Sequence, residues 1–217
     1  MTADMTAAKL AKRDALVMAT LNHVVFDGWS KDALLRGASD AGMTEHDVDV
    51  LFPGGARPAV RHWLELADRM MIEDLTGVDL DALRIRDRIA LMVRTRLERW
   101  TPYREAVRRA VALSVTPGYA EDSLRSGWST VDAMWRAAGD RSTDFNYYTK
   151  RGLLAAVYSS TLLAWLDDQS EDCADTWAFL DRRIANVMQV PKIQARLKET
   201  LERLPNPLRI LRGRHPA

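Results

Sequence analysis

Apolar residues in this chain recur at three- and four-residue spacing almost throughout, and no stretch alternates as a half-buried strand requires. That periodicity points to an all-α fold of about nine or ten helices. Trp63, Leu66, Met70, Met71 and Leu75 make one helical face. Leu83, Ile85, Ile89, Met92, Val93 and Leu97 continue the pattern after Thr76-Gly77. Val107, Val111 and Leu113 lead to a stop at Thr116-Pro117-Gly118, and Val131, Met134 and Trp135 lead to a C-capping Gly139. Residues 145–166 are apolar on nearly all sides beyond Gly152, the pattern of a central, buried helix. Trp177, Leu180, Ile184 and Val187 add a further stripe. A chain of 217 residues buries roughly 70% of its unfolded surface and forms a core without covalent staples.

The single cysteine, Cys173, excludes an internal disulfide framework and a multi-cysteine zinc site, and fits a reducing compartment. No apolar run reaches the roughly 18 residues of a spanning helix. Residues 1–20 show neither a signal peptide nor a transit segment. The net charge of +1 conceals an asymmetry: residues 1–50 carry a net −3 and residues 191–217 a net +5. A basic tail suits attraction to an anionic surface.

The first fifty residues read as three helices. One runs through Leu16–Phe26. Ser30 caps a second, and Ala41-Gly42-Met43-Thr44 turns into a third that ends at Leu51-Phe52, before Pro53-Gly54-Gly55. This resembles the helix-turn-helix module of TetR-type regulators, which implies a larger helical ligand domain behind it. The third helix, Thr44–Phe52, carries Glu45, Asp47 and Asp49 and no Lys or Arg. Carboxylates repel a phosphate row, whereas binding to nucleic acid draws its affinity from cations. The expectation is a module kept for packing, with no nucleic-acid partner.

Catalytic patterns are missing. His23, His46, His62 and His215 form no metal-binding pair, and no phosphate loop or nucleophile elbow is present. Cys173 lies among Glu171, Asp172 and Asp175, which do not activate a thiol. The chain is expected to be no enzyme and to hold no metal or cofactor. What it offers is apolar capacity, with nine Met and seven Trp. Trp63, Met70, Met71, Met92, Leu154, Tyr158 and Trp165 are candidates to line a cavity between helices, or simply to fill a core.

Residues 139–151 are the most informative stretch. Thr143 or Asp144 can cap the helix that follows. Tyr147 and Tyr148 point about 100° apart on a helix. With Phe145 they make a band too broad for one stripe, so at least one aromatic is expected near the surface, where an interface could use it.

The run from Met134-Trp135-Arg136 through Gly139-Asp140-Arg141-Ser142-Thr143-Asp144-Phe145-Asn146-Tyr147-Tyr148 to Leu153–Tyr158 resembles the accessory lipid-binding proteins of ubiquinone biosynthesis, the ninth of the coenzyme Q proteins. Asp175–Leu180 and Gly28-Trp29 are similar to the same family, and the resemblance spans roughly residues 15–190. It implies a TetR-like homodimer with an apolar pocket for isoprenoid lipids. It also implies a partner, the di-iron demethoxyubiquinone hydroxylase, engaged by Met134, Trp135, Asp140, Asp144, Asn146, Tyr147 and Tyr148. The family often has Trp at the first aromatic of the pair, where this chain has Tyr147. The short N-terminus suggests a bacterial cytoplasmic protein, peripheral on the inner face of the inner membrane.

From Pro191, read as a first helical residue, Ile193, Leu197, Leu201 and Leu204 form an apolar stripe beside Lys192, Arg196 and Arg203. A basic amphipathic helix is an interfacial membrane anchor, unless it packs on its own domain or a dimer mate. The expected organisation is a helix-turn-helix-like module over 1–55, a lipid-binding helical domain over 56–190 and an amphipathic tail over 191–217. The function expected is presentation of polyprenylated quinone intermediates to the hydroxylase without catalysis. The alternatives are a TetR-type ligand-responsive transcription regulator and a carboxylate-dependent hydrolase.

Overall fold

The structure, a computed structural model, describes residues 2–143 and 145–203, with side chains described over 6–143 and 146–189. Among these residues there are nine α-helices, three short 3₁₀ turns and no strand. Three helices form the front of the molecule: α1 (Thr2–Asp27), α2 (Lys31–Asp40) and α3 (Glu45–Leu51). The Ala33 N–H donates to Ser30 Oγ at 3.1 Å and starts α2. At α3 the Asp47 N–H donates to Thr44 Oγ1 at 3.2 Å while the Thr44 N–H donates to Asp47 Oδ2 at 2.8 Å, a reciprocal capping box. Gly37 lets α2 press on α1, because a Cβ there would lie 2.5 Å from Thr20 Oγ1. The carboxylates of Glu45 and Asp49 on α3 lie 3.2 and 3.4 Å from Lys31 Nζ on α2.

Behind this module stand α4 (Ala56–Asp74), α5 (Ile85–Arg99), α6 (Arg104–Ser114), α7 (Ala120–Ala137), α8 (Phe145–Asp167) and α9 (Ala174–Arg203). One apolar core runs through both parts without a break near residue 55. Trp29, Trp63 and Trp100 stack across it at centroid distances of 5.2 and 5.3 Å. Asp14 Oδ1 on α1 lies 2.6 Å from both His62 Nε2 and Arg69 Nη2 on α4. At the end of α7, Gly139 has φ +88°, the left-handed conformation that a C-terminal glycine adopts without steric cost.

Two expectations about helices are corrected. α8 is not buried all round: Gly152, Ala156, Ser159 and Leu163 lie on an exposed face, while Arg151, about 100° round the helix from Gly152, is buried. Small residues give that face an apolar reading without needing to be covered. No helix begins at Pro191, since α9 runs unbroken from Ala174 to Arg203. No helix among the described residues is long and apolar enough to cross a membrane.

Candidate functional site: an apolar cavity with an aromatic rim

Helices α4 to α8 enclose a cavity of about 850 Å³. Each contributes one face. Val60, Trp63, Leu64 and Ala67 come from α4, Val107, Ala110, Val111 and Ser114 from α6, both at i, i+3, i+4, i+7 spacing. The space exists because α7 presents Ser123, Ser126 and Gly127 to it, and a Cβ on Gly127 would meet nothing within 4 Å. The volume lies in the range of small-molecule sites.

One end of the cavity is closed by buried side chains: Trp63, Arg96, Trp100 and Trp165. Arg96 is held by three neighbours. Its Nε donates to Tyr158 Oη at 3.0 Å, its Nη2 reaches Thr130 Oγ1 at 3.4 Å, and its Nη1 lies 2.8 Å from Asp68 Oδ1. Burial pushes the Asp68 carboxyl above the ordinary carboxylate range, against the opposing pull of Arg96 and Thr130. A buried ion pair at the head of an apolar cavity is an expensive arrangement, and such pairs concentrate at functional sites. The other end is the mouth, where Val115, Leu124 and Leu163 are exposed.

Trp128 joins the mouth to a second feature. It lines the cavity, is 37% exposed, and packs against both Tyr147 and Tyr148, at centroid distances of 6.3 and 6.2 Å. The two tyrosines meet edge to face at 5.1 Å. Tyr148 is 63% exposed, as the pair's divergence on a helix requires. Tyr147 is half-buried and donates its hydroxyl to Asp132 Oδ1 at 3.0 Å. Beneath it, buried Arg151 donates Nε to Asp132 Oδ1 at 2.6 Å and Nη1 to Asp140 Oδ2 at 3.1 Å. Lys150 Nζ and Ser142 Oγ also reach Asp140 Oδ1, each at 2.7 Å. Burial alone would raise the Asp140 carboxyl. The Lys150, Ser142 and Arg151 hydrogen bonds outweigh it and hold the group down at about 2.

The candidate lipid residues divide. Trp63, Tyr158 and Trp165 wall the cavity. Met70, Met71, Met92 and Leu154 do not line it and belong to the core packing. Met70 and Met71 lie one or two turns beyond Trp63 and Ala67 on α4, and Met92 and Leu154 lie one turn before Arg96 and Tyr158 on α5 and α8. The candidate partner residues also divide. Tyr147 and Tyr148 are at the rim, Asn146 is exposed beside them, and Asp140 anchors the base. Met134 is wholly buried, and Trp135 is tied inward by its indole N–H to the Lys150 carbonyl at 3.0 Å. Asp144 and Leu204 lie outside the described residues, as do the side chains of Lys192, Ile193, Arg196, Leu197, Leu201 and Arg203.

Sequence reasoning missed Trp128, Arg96, Asp132 and Arg151. For Trp128 a signal existed: Leu124, Trp128 and Val131 sit at i, i+4, i+7 beside the small residues of α7. It also missed Arg104, which sets Nη2 2.9 Å from Cys173 Sγ among the acidic neighbours. No group of three or more metal-ligating side chains occurs among the described residues.

The chain is 33% identical over 196 residues to the human mitochondrial ubiquinone biosynthesis protein COQ9, covering 87% of this chain and 61% of that protein. It is 34% identical to the Drosophila melanogaster protein of the same name, over 84% of this chain and 58% of that one. It thus spans about three fifths of the length of the curated relatives it matches. A Nitrosomonas europaea TetR transcriptional regulator superposes with a TM-score of 0.67 at 19% identity, covering 82% of this chain and 98% of that one. The fold is therefore TetR-like. The relatives are named mitochondrial, including a Dictyostelium discoideum homologue, and this overturns the expectation of a bacterial cytoplasmic protein. A sequence model of the COQ9 family matches residues 120–191, the segment that supplies Trp128, Asp132, Tyr147, Tyr148 and Arg151, and in that segment the chain is similar to the COQ9 family.

Proposed function

We propose that this chain is a non-enzymatic accessory protein of ubiquinone biosynthesis that presents polyprenylated quinone intermediates to the di-iron demethoxyubiquinone hydroxylase at a membrane. One observation carries the reading: Trp128 is shared by the mouth of an apolar cavity and by an exposed aromatic face. A lipid held in the cavity therefore emerges beside a surface suited to a protein partner. The physical problem is the passage of an apolar tail through water, at about 0.8 kcal/mol per exposed CH₂. A cavity whose mouth is itself apolar removes that cost. The homodimer and the membrane-binding tail over 191–217 are parts of the same proposal.

The test is hydroxylase turnover on a polyprenylated substrate in vesicles. Addition of this chain should raise the rate, and Trp128→Lys should remove the increase. An unchanged rate with the unsubstituted chain contradicts the proposal. Deletion of 191–217 should abolish flotation with anionic vesicles.

The regulator alternative finds no support in α3, where Asp47 is used in the cap and Glu45 and Asp49 face Lys31. Salt-sensitive binding to a palindromic duplex would restore it.

A further inference from the structure

Helix α7 changes character at Thr130. From Ala120 to Ser129 it holds no buried side chain, whereas Thr130, Val131 and Met134 beyond it are buried. The inner face of the first half is small: Ala120, Ser123 and Gly127 line the cavity, and a Cβ on Gly127 would meet nothing within 4 Å. A segment with so few buried apolar contacts opens at low free energy. Its leading end joins α6 through a turn whose Pro117 and Gly118 are exposed. Two polar bridges fasten α7 to α4. At the mouth, Arg57 Nε donates to Asp122 Oδ2 at 2.7 Å. At the closed end, Thr130 Oγ1 donates to Asp68 Oδ1 at 2.9 Å, and Arg96 Nη2 donates to Thr130 Oγ1 at 3.4 Å. The bridges stand roughly three turns apart on α4 and two on α7. Trp63, Ala67, Ser123 and Gly127 lie between them and line the cavity. The bridges differ in strength. Thr130 and Arg96 are buried, so parting them leaves polar groups unpaired away from water. Arg57 is half-exposed, and its pair with Asp122 is weak and screened by salt. Among the described residues this is the only ion pair from Ala120–Ser129 to another helix.

We infer that the first half of α7, Ala120–Ser129, is a door to the cavity, hinged at the buried bridge of Thr130, Asp68 and Arg96 and latched at the mouth by Arg57 and Asp122. With the latch closed, this half-helix walls the cavity. With the latch parted, it swings away from α4 and widens the mouth, and the exposed Leu124 travels with it. The inference rests on the reading of the cavity as a ligand site and adds how an occupant passes in and out.

Hydrogen exchange of the full chain, read along α7 by mass spectrometry, tests the door without any ligand. Amides of residues 124–129 are expected to exchange about tenfold faster than those of residues 132–137. Asp122→Asn should speed the first group about threefold, the size expected of a partly exposed pair, and leave the second unchanged. Added salt should act on the unsubstituted chain in the same way and have no such effect on the variant. Arg57→Gln removes the other partner of the latch and decides the matter should Asp122→Asn fail to fold. Stopped-flow entry of a dansyl-labelled undecanoic acid then reads passage into the cavity, and Asp122→Asn should raise its rate by about the same threefold factor. Even exchange along α7, or a latch variant that speeds both halves alike, overturns the door, because the helix then opens only with the whole fold. Faster exchange of the first half with unchanged entry of the probe overturns its role as the way in. Failure of the probe to bind contradicts the lipid reading of the cavity, and the exchange pattern still decides the door.

Discussion

The guanidinium carbon of Arg151 lies 3.5 Å from the centroid of the Tyr147 ring. Arg151 is itself buried between Asp132 and Asp140. The aromatic rim therefore stands on a charged foundation, and the tyrosine's position is set from below by one cation.

Removing that cation should be costly. Arg151→Met leaves two carboxylates without their shared partner and is expected to destabilise the fold by about 3 kcal/mol. Arg151→Lys should rescue only part of this, because one ammonium cannot meet Asp132 and Asp140 with the guanidinium's fixed fork. Urea denaturation of the three proteins checks both statements.

The tyrosines should separate in the laboratory. Tyr148 is exposed and packs on Trp128 and Tyr147, whereas Tyr147 is bonded to Asp132 and lies against Arg151. Tyr148→Lys is expected to abolish hydroxylase capture with an unchanged thermal melt. Tyr147→Phe should cost about 1 kcal/mol of stability through the lost hydrogen bond.

Acid should loosen the rim. Asp140 falls from 3.8 to about 2 on folding, so the unfolded chain binds its proton first as pH drops. The stability this group contributes is complete above the unfolded value and is lost as pH falls through the window between about 4 and about 2. Asp140→Asn should flatten that part of the stability profile, followed by fluorescence-detected urea titration at each pH.

Gly127 offers a way to close the cavity without disturbing the core. Its absent Cβ faces open space in the middle of α7. Gly127→Leu should gain helix propensity of up to about 1 kcal/mol and occupy the space a ligand needs. The expected result is a raised melting temperature together with loss of lipid binding, seen by scanning calorimetry and by lipid extraction.

The helices were legible in the sequence because local rules fix them. Spacing located α4 to α7, and Ser30, Thr44 and Gly139 punctuate the chain where their side chains or backbone demand. The cavity was less legible. Periodicity says which face of α4 turns inward, but not that Trp63 lines a cavity while Met71 is sealed in the core. That depends on small residues of α7 lying opposite, a long-range fact. Arg151 was hidden for a related reason. Between Lys150 and Gly152 it reads as a surface residue, and only the approach of Asp132 and Asp140 from other turns explains its burial.

The central claim is that the cavity holds an isoprenoid quinone lipid. Native mass spectrometry of the purified chain tests it most directly. The account predicts adducts with masses of polyprenylated quinone intermediates, displaced in Gly127→Leu. A spectrum of the unsubstituted protein showing bare chain alone, from cells that make such lipids, would contradict it.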